Sequence, residues 1–399
     1  MLTNFRRQIR QHSRGILTGI IILITCIGIG GVTFFSLLSQ DAQEEIKQRD
    51  AQERQLKQQI VQIQNELNEI KSQDQIKINQ QNTAEIESIQ KTYKETVTSY
   101  ESLLDLGVTN KNYLKLSELL AKSLDQLSER NYSSATATLT QLNKEIQTQK
   151  QLAVAEFKIP ESVPEKASPP ASGYARQQVA TGVGNYMVDI VSGDLGSTRV
   201  IVDTASESDC ANDCPVLSLG DYVSRSGAYA GINGSYFCPA SYPSCAGKAN
   251  SFDTLLMNKN KKYFNSDNNV YSTVPAVIFQ GGSVRFVGQS LEWGRDTGID
   301  SMIANQPLLV SGGKSVFGGD GEVKREGKGS RSFVANKGNV VYIGVVHSAS
   351  ASEMAKVLET MGMDNALNLD SGGSTALWAG GYKVGPGRAI PNAILFVRK

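Results

Sequence analysis

Apolar and polar positions along this chain change period from one stretch to the next, and each change predicts a different element. Ile16 to Leu38 is apolar almost throughout and carries no charge. A run of that length covers the ~30 Å of hydrocarbon in a bilayer and predicts a transmembrane helix over 16–38. Arg6, Arg7, Arg10 and Arg14 precede it, and Asp41, Glu44 and Glu45 follow it. The asymmetry predicts a cytoplasmic tail over 1–15 and a single-pass protein of the cell membrane whose remainder is extracytoplasmic. A cleaved signal peptide is the rival reading, but its apolar core spans roughly 7–15 residues and ends at a small-x-small site that is missing here. A buried core helix is disfavoured by the arginine flank, and Cys26 within the run is given no role.

From Asp41 to about Tyr100 the chain has no Pro or Gly. Leu56, Ile60, Ile63, Leu67 and Ile70 alternate spacings of four and three, the a/d seam of a coiled coil. The seam falters over Ser72–Asn82 and resumes out of phase at Ile86, Ile89 and Tyr93, as at a stutter. This predicts a coiled-coil stalk over 41–104 and a homo-oligomer, because an isolated polar helix needs a partner to bury its stripe. The plainer reading is a lone solvated spacer. Gly107 interrupts the helix, and Asn110 is a candidate cap for the next one. Tyr113, Leu116, Leu119, Leu120, Leu124 and Leu127 then share one face; Asn131 breaks the pattern, and Leu139, Leu142 and Ile146 face inward from a helix over Ser133–Phe157. The pattern predicts an antiparallel helical hairpin over 108–157, a packing unit rather than a recognition repeat. The prolines of Lys158–Gly173 stop helical structure and predict a stiff linker over 158–173.

Beyond it the composition shifts to Gly, Val, Ser and Asn with short apolar runs. Candidate strands are Tyr186–Val191, Arg199–Val202, Val274–Phe279, Ser283–Val287, Leu308–Val310, Ser332–Ala335, Val340–Val345 and Ala393–Val397, and one clear helix runs Ser352–Met361 with Ser352 as N-cap. Strand–helix alternation is missing, which disfavours a Rossmann unit. The fold class expected is α+β: a mixed, mainly antiparallel β-sheet head with few helices over 174–399, on a transmembrane helix and helical stalk.

Charge and cysteine content narrow the function. Lys+Arg 40 against Asp+Glu 39 gives a net charge of +1, so a nucleic-acid partner held by bulk positive charge is excluded. Only two histidines occur, which disfavours a metal enzyme built on several His ligands. Cys210, Cys214, Cys238 and Cys245 lie on the exported side, where disulfides are the default. The local pairs Cys210–Cys214 and Cys238–Cys245 are favoured over two other pairings and over a thiolate zinc site, since histidine is nearly absent. No cofactor is expected, and the sequence leaves the metal requirement open.

Several segments carry residues suited to chemistry. In Gly231–Phe237 (GINGSYF), Asn233 offers a donor and an acceptor beside Gly234, although a hairpin turn is the plainer reading. In Gly329–Phe333 (GSRSF), Arg331 at the start of a strand can grip a phosphate or carboxylate, or make a surface ion pair. In Asn365–Leu377 (NALNLDSGGSTAL), the strand Ala366–Leu369 ends in Asp370, and Ser371, Gly372, Gly373, Ser374 and Thr375 come next. A carboxylate beside backbone N–H groups and hydroxyls suits an anionic substrate, a tight turn being the bland alternative. No lysine follows the glycines and G-x-S-x-G is absent, so neither a P-loop nor a nucleophile elbow is present. Arg388 is a second candidate anion binder, and His347 a candidate general acid or base.

Taken in order, GINGSYF, NQPLLVSGGK, GSRSFVANKGNVVYIGVV, NLDSGGSTAL and GRAIPNAILF resemble the phosphodiester glycosidase family over roughly 180–399. The resemblance implies a hydrolase that splits a sugar-1-phosphodiester, such as one of N-acetylglucosamine, in a cell-envelope or extracellular glycan. The matching positions are Asn233, Gly234, Phe237, Arg331, Asp370, Gly372, Gly373, Ser374, Arg388 and Asn392. On that basis Arg331, Arg388 and the glycine-loop N–H groups bind phosphate, with Thr375 beside them. Asp370 serves the anomeric carbon as base, nucleophile or ring-cation stabiliser and Asn233 orients the sugar; His347, on residue type alone, is the candidate to activate water. A second carboxylate is open among Asp253, Asp300 and Asp320. Ser235 and Ser371 stand where the family carries Gly; if either position needs φ > 0, serine is strained there by ~1–2 kcal/mol. Those serines motivate the alternative of a non-catalytic module that binds phosphorylated glycans. A purely structural spacer has no use for an Asp-Gly-Gly loop flanked by arginines.

Overall fold

The computed structural model describes residues 2–72, 74–107, 110–265, 272–294 and 298–399. It divides into two units, Met1–Ser88 and Ile89–Lys399. The first holds helix α1 (Leu2–Ser72) and the start of α2 (Asp74–Leu106), so the faltering seam coincides with the junction of two helices. Leu56, Ile60, Ile63, Leu67 and Ile70 are all exposed within the single chain. Among the described residues no helix is long and apolar enough to cross a membrane. The segment 16–38 runs inside α1, but most of its side chains lie outside the described residues.

The second unit begins with a small helical body. The end of α2, α3 (Tyr113–Ser128) and α4 (Tyr132–Glu156) bury Leu103, Leu116, Leu120, Leu139, Leu142 and Ile146 together. Asn131 caps α4 by accepting from Ser134 N at 3.2 Å. Two expectations are corrected. Leu124, placed by its spacing on the apolar face, is 48% exposed. Asn112, not Asn110, stands at the N-cap of α3, and Asn110 accepts from the Asn112 amide at 2.9 Å. Within the proline-rich 158–173 segment, Lys166 N bonds Gln178 O and Gln178 N bonds Pro164 O, both at 2.9 Å, which holds it along the first strand of the head.

That strand, β1 (Gly173–Thr181), pairs with β2 (Gly184–Asp194) at the edge of a seven-stranded sheet. β13 (Val340–Ala349), β12 (Gly329–Lys337), β14 (Asn365–Asn368), β10 (Leu308–Ser311) and β11 (Lys314–Ser315) complete it in that order. A five-stranded sheet runs β16 (Tyr382–Val384), β15 (Leu377–Ala379), β4 (Ala230–Asn233), β17 (Asn392–Arg398), β3 (Thr198–Thr204). Another runs β6 (Tyr263–Phe264), β5 (Leu256–Met257), β9 (Ser301–Ala304), β7 (Ala276–Gln280), β8 (Ser283–Val287). The paired strands are antiparallel in all three, so the α+β class with an antiparallel head holds.

Buried residues of the three sheets, among them Ile343, Phe396 and Phe279, meet in one core. The far face of the large sheet packs on α7 (Ala351–Thr360), and that of the second sheet on α5 (Leu219–Ser226). Burying a side chain such as Phe396 contributes about 1.5–3 kcal/mol. Helix α7 starts earlier than its sequence suggested: Ser350, not Ser352, is the N-cap, locked in a capping box with Glu353. Helix α5 carries too short a pattern to stand out in the sequence, although Ser218 caps it and Gly227 ends it. The two disulfides are the local ones expected, Cys210–Cys214 and Cys238–Cys245.

Candidate active site

The site is built where β4 ends. Asn233 is fully buried, and its amide clamps three segments: Nδ2 donates to Asp370 O at 2.6 Å, and Oδ1 accepts from Ser332 Oγ at 2.8 Å and from Ala376 N at 3.1 Å. Asn233 therefore positions the glycine loop, with both ends of its amide engaged by protein. Gly234 comes next because nothing larger fits. A Cβ there would lie 1.7 Å from Asn392 Oδ1, which itself accepts from Ser235 N at 2.9 Å. The neighbouring clamps work alike. Asn305 accepts from Tyr236 N at 3.1 Å and donates to Asn368 O at 2.8 Å, and Asn368 donates to the Tyr236 hydroxyl at 2.7 Å. An amide suits such duty because it gives and takes hydrogen bonds at once. Asn368 Oδ1 is left as a buried acceptor without a partner among the described residues.

Asp370 leaves the end of β14 and is tied by its amide to Gly234 O at 2.9 Å. Its Oδ1 accepts from Ser371 N at 2.8 Å, and Ser374 donates to the carboxylate as well. Burial pushes the Asp370 carboxyl up to about 6; the bonds from Ser374 and Ser371 and the charge of Arg388 oppose the rise, and Asp253 adds to it. The loop then turns through Gly372 at φ +68, a left-handed conformation that favours glycine, into a short 3₁₀ turn, Gly372–Ser374. Arg388 lies against this turn. Its amide donates to Gly373 O at 2.8 Å, and a Cβ on Gly373 would stand 2.2 Å from Arg388 Nη2. Asp370, Gly372, Gly373, Ser374 and Arg388 thus come together. Neither Ser235 nor Ser371 has positive φ; Ser371 sits at φ −140, so no backbone strain arises at the two Gly-to-Ser positions.

Arg331 is 7% exposed and lies within electrostatic reach of Asp370 and Tyr236. Its Nε donates to Ala349 O at 3.2 Å, and its Nη2 to Lys324 O at 2.6 Å and to Gly327 O. Ala349 ends β13, while Lys324 and Gly327 belong to α6 (Val323–Glu326) and its C-cap, so Arg331 fastens that segment beside the site. Burial lowers its pKa. Thr375 is buried and donates to Ser330 O at 3.2 Å, turned away from solvent. His347 is bonded through Nε2 to Asp189 at 2.7 Å and through Nδ1 to Ser330 Oγ at 3.3 Å, and Phe157 stacks on its ring at 5.9 Å. Its bonds run to Asp189 and Ser330 and not to Asp370.

Beside Arg388 stand residues that carry no motif. The Tyr242 hydroxyl donates to Asp105 at the end of α2, and Arg388 Nη2 reaches the same carboxylate at 3.3 Å. Lys324 and Arg388 lie over the Tyr242 ring at 5.0 Å and 5.3 Å. Burial lowers the pKa of Lys150 on α4, opposed by Asp105. No signal in the sequence joins residues so far apart in the chain. Among the described residues no group of three His, Cys, Asp or Glu side chains is placed to hold a metal ion.

No curated protein matches this sequence. Among solved structures, the zebrafish N-acetylglucosamine-1-phosphodiester alpha-N-acetylglucosaminidase catalytic domain, auto-inhibited by its pro-peptide, is 15% identical, with a TM-score of 0.46 over 62% of this chain and 91% of that one. A protein from Synechocystis is 14% identical, with a TM-score of 0.41; the match covers 56% of this chain and 62% of that one. Likeness at these scores carries no functional weight. The match by family is of another kind: residues 226–397, which hold every motif from GINGSYF to the last strand, fit the model described as phosphodiester glycosidase and leave β1 to β3 outside it. Residues 226–397 are thus a phosphodiester glycosidase domain, of a family of hydrolases that act on phosphodiester glycosidic bonds.

Proposed function

We propose that this protein is a membrane-anchored, extracytoplasmic glycosidase that hydrolyses a sugar-1-phosphodiester, of the N-acetylglucosamine-1-phosphodiester type, in a cell-envelope or extracellular glycan. The observation that carries the reading is Asp370, a carboxyl raised by burial, lying in one turn with Arg388 against Gly373. A phosphodiester is already a fair leaving group at an anomeric carbon. The work left to the enzyme is to stabilise positive charge at the ring and negative charge on the departing phosphate. Arg388 and the N–H groups of Gly372 and Gly373 hold the phosphate, and Asp370 serves the glycosidic bond. Arg331 acts from behind, through the α6 carbonyls it fastens and its charge near Asp370. The unstrained backbone at Ser235 and Ser371 supports the enzymatic reading over a module that only binds.

Anchoring rests on the uncharged 16–38 segment behind four arginines, and an exported head agrees with its two disulfides. The exposed stripe from Leu56 to Ile70 supports pairing of stalks between copies. The test is turnover of the methyl diester of N-acetylglucosamine-1-phosphate by the full-length chain. Release of free sugar, abolished in Asp370→Asn, is the expected result; binding without release by the wild type would sink the enzymatic reading.

A further inference from the structure

We infer that Asp253 is the second carboxylate of this site, the base that takes the proton of the attacking water while Asp370 acts as acid. The inference rests on the glycosidase reading and deepens it. Three aspartates are open for this role. Asp300 is spoken for: it receives two bonds from Arg199 and caps the turn at Gly281. Asp320 is paired with Arg325 at 2.7 Å and bonds Glu322 N. Asp253 alone of the three shares the Asp370 scaffold. Asp370 N bonds Gly234 O, and Asp253 N bonds Tyr236 O at 3.2 Å, so two carboxylates hang from positions two residues apart on one short segment. That segment is held on its other side by Asn392, Asn305 and Asn368. The Phe237–Phe252 bridge fixes the direction in which residue 253 leaves.

The Asp253 side chain takes no hydrogen bond or ion pair among the described residues, and the residue is exposed, as a group that must meet water requires. Protein packed around its carboxyl raises its pKa, while the charges of Lys248 and Lys324, which face it, favour the ionised form. Facing Asp370 are Arg388, Arg331, Tyr236 and Asp253 itself. Asp370 lies at the glycine turn against which Arg388 packs, the side proposed for phosphate, and so faces the departing oxygen as acid; Asp253, open to solvent, meets the water as base. In the step, water oxygen bonds to the anomeric carbon and gives its proton to Asp253. The bond from that carbon to the phosphate oxygen breaks, its electron pair stays on the oxygen, and Asp370 supplies a proton there. Free sugar and a phosphomonoester result, and the carboxyls exchange one proton through solvent to reset.

The test uses the full-length chain and the methyl diester of N-acetylglucosamine-1-phosphate. In Asp253→Asn, kcat falls about 100-fold with KM within threefold, in the range lost with a general base. Azide, which needs no base, restores turnover and yields the glycosyl azide. Asp253→Ser repeats the measurement with a smaller side chain, and an unchanged unfolding midpoint shows that the fold is kept. A kcat within threefold of wild type in either variant, or a loss that azide does not repair, overturns the role of Asp253. Inactive Asp370→Asn beside active Asp253→Asn would leave the glycosidase reading standing and remove this inference alone; an inactive wild type would remove both.

Discussion

Arg388 and Asp105 are partners across most of the chain: Nη2 of the arginine reaches the carboxylate of the aspartate at 3.3 Å, with both side chains about a quarter exposed, at 25% and 26%. The arginine proposed to hold phosphate is thus shared with an anion that the end of α2 supplies. A phosphate entering the loop competes with that carboxylate for the same guanidinium. A partly exposed pair is worth about 0.2–1 kcal/mol, so Asp105→Asn is expected to lower the Ki of inorganic phosphate about 1.4- to fivefold. The kcat on the methyl diester stays within twofold, because Asp105 touches no reacting atom. An unchanged Ki, read by competition kinetics at constant ionic strength, would show that Asp105 and phosphate do not share Arg388.

Gly234 is required by its neighbour and not by its own backbone angle. The pattern Asn-Gly suggests a left-handed turn; the structure instead leaves room for Asn392 Oδ1 where a Cβ would be. In Gly234→Ala, Asn392 must withdraw, and Ser235 N loses its acceptor. An overpacked, buried position of this kind costs about 1–3 kcal/mol. Since Gly234 O also anchors the Asp370 amide, activity should fall by more than stability does. Thermal unfolding and kcat measured on one preparation check both; an alanine variant with native stability and turnover contradicts the packing account.

How much of the fold and the site is legible in the sequence divides along physical lines. Strands with β-branched runs, such as Val340–Val345 and Ser283–Val287, announce themselves, and β8 matches its reading residue for residue. The short strands β4, β5 and β15 do not, because two to four residues carry no period. Asp370, the glycine turn and Arg388 can be named from motif order, and they do come together. The roles of Asn233, Arg331 and His347 cannot. Each is a polar side chain whose meaning depends on what covers it: Asn233 is enclosed by three backbone segments, Arg331 by carbonyls of α6, and His347 by Asp189 and Phe157. A sequence states which groups are present, whereas burial decides whether they meet substrate or protein.

The raised carboxyl of Asp370 has a consequence for stability. Its ordinary value is 3.8, and burial lifts it to about 6 in the folded chain. Between those values the folded state binds more protons than the unfolded one, so stability falls as pH rises from about 4 through 6 and is level above. Asp370→Asn removes that burden. We expect the variant to be more stable than wild type by on the order of 2–3 kcal/mol at pH 7.5, at ~1.4 kcal/mol per unit, and equal to it at pH 3.5. Denaturant unfolding of both chains at the two pH values decides; a variant less stable at pH 7.5 would mean that Asp370 is satisfied as an anion.

Asp189 presents the opposite sign. It is fully buried, and burial alone would push it up, but bonds from His347, Arg176 and Tyr174 outweigh that and hold its carboxyl below the ordinary range. Its stabilising effect is present above the unfolded value near 3.8 and is lost as pH falls through the lower folded value. Arg176 is 41% exposed and stays hydrated without its anion, so Asp189→Asn should lose about 1–3 kcal/mol at pH 7, the cost of the hydrogen bonds that the amide cannot replace. For His347→Gln, the geometry predicts a loss of stability with kcat on the methyl diester changed less than tenfold, because the imidazole nitrogens are engaged by Asp189 and Ser330. A glutamine variant that folds with native stability yet turns over a hundredfold more slowly would return His347 to the chemistry and place water within its reach.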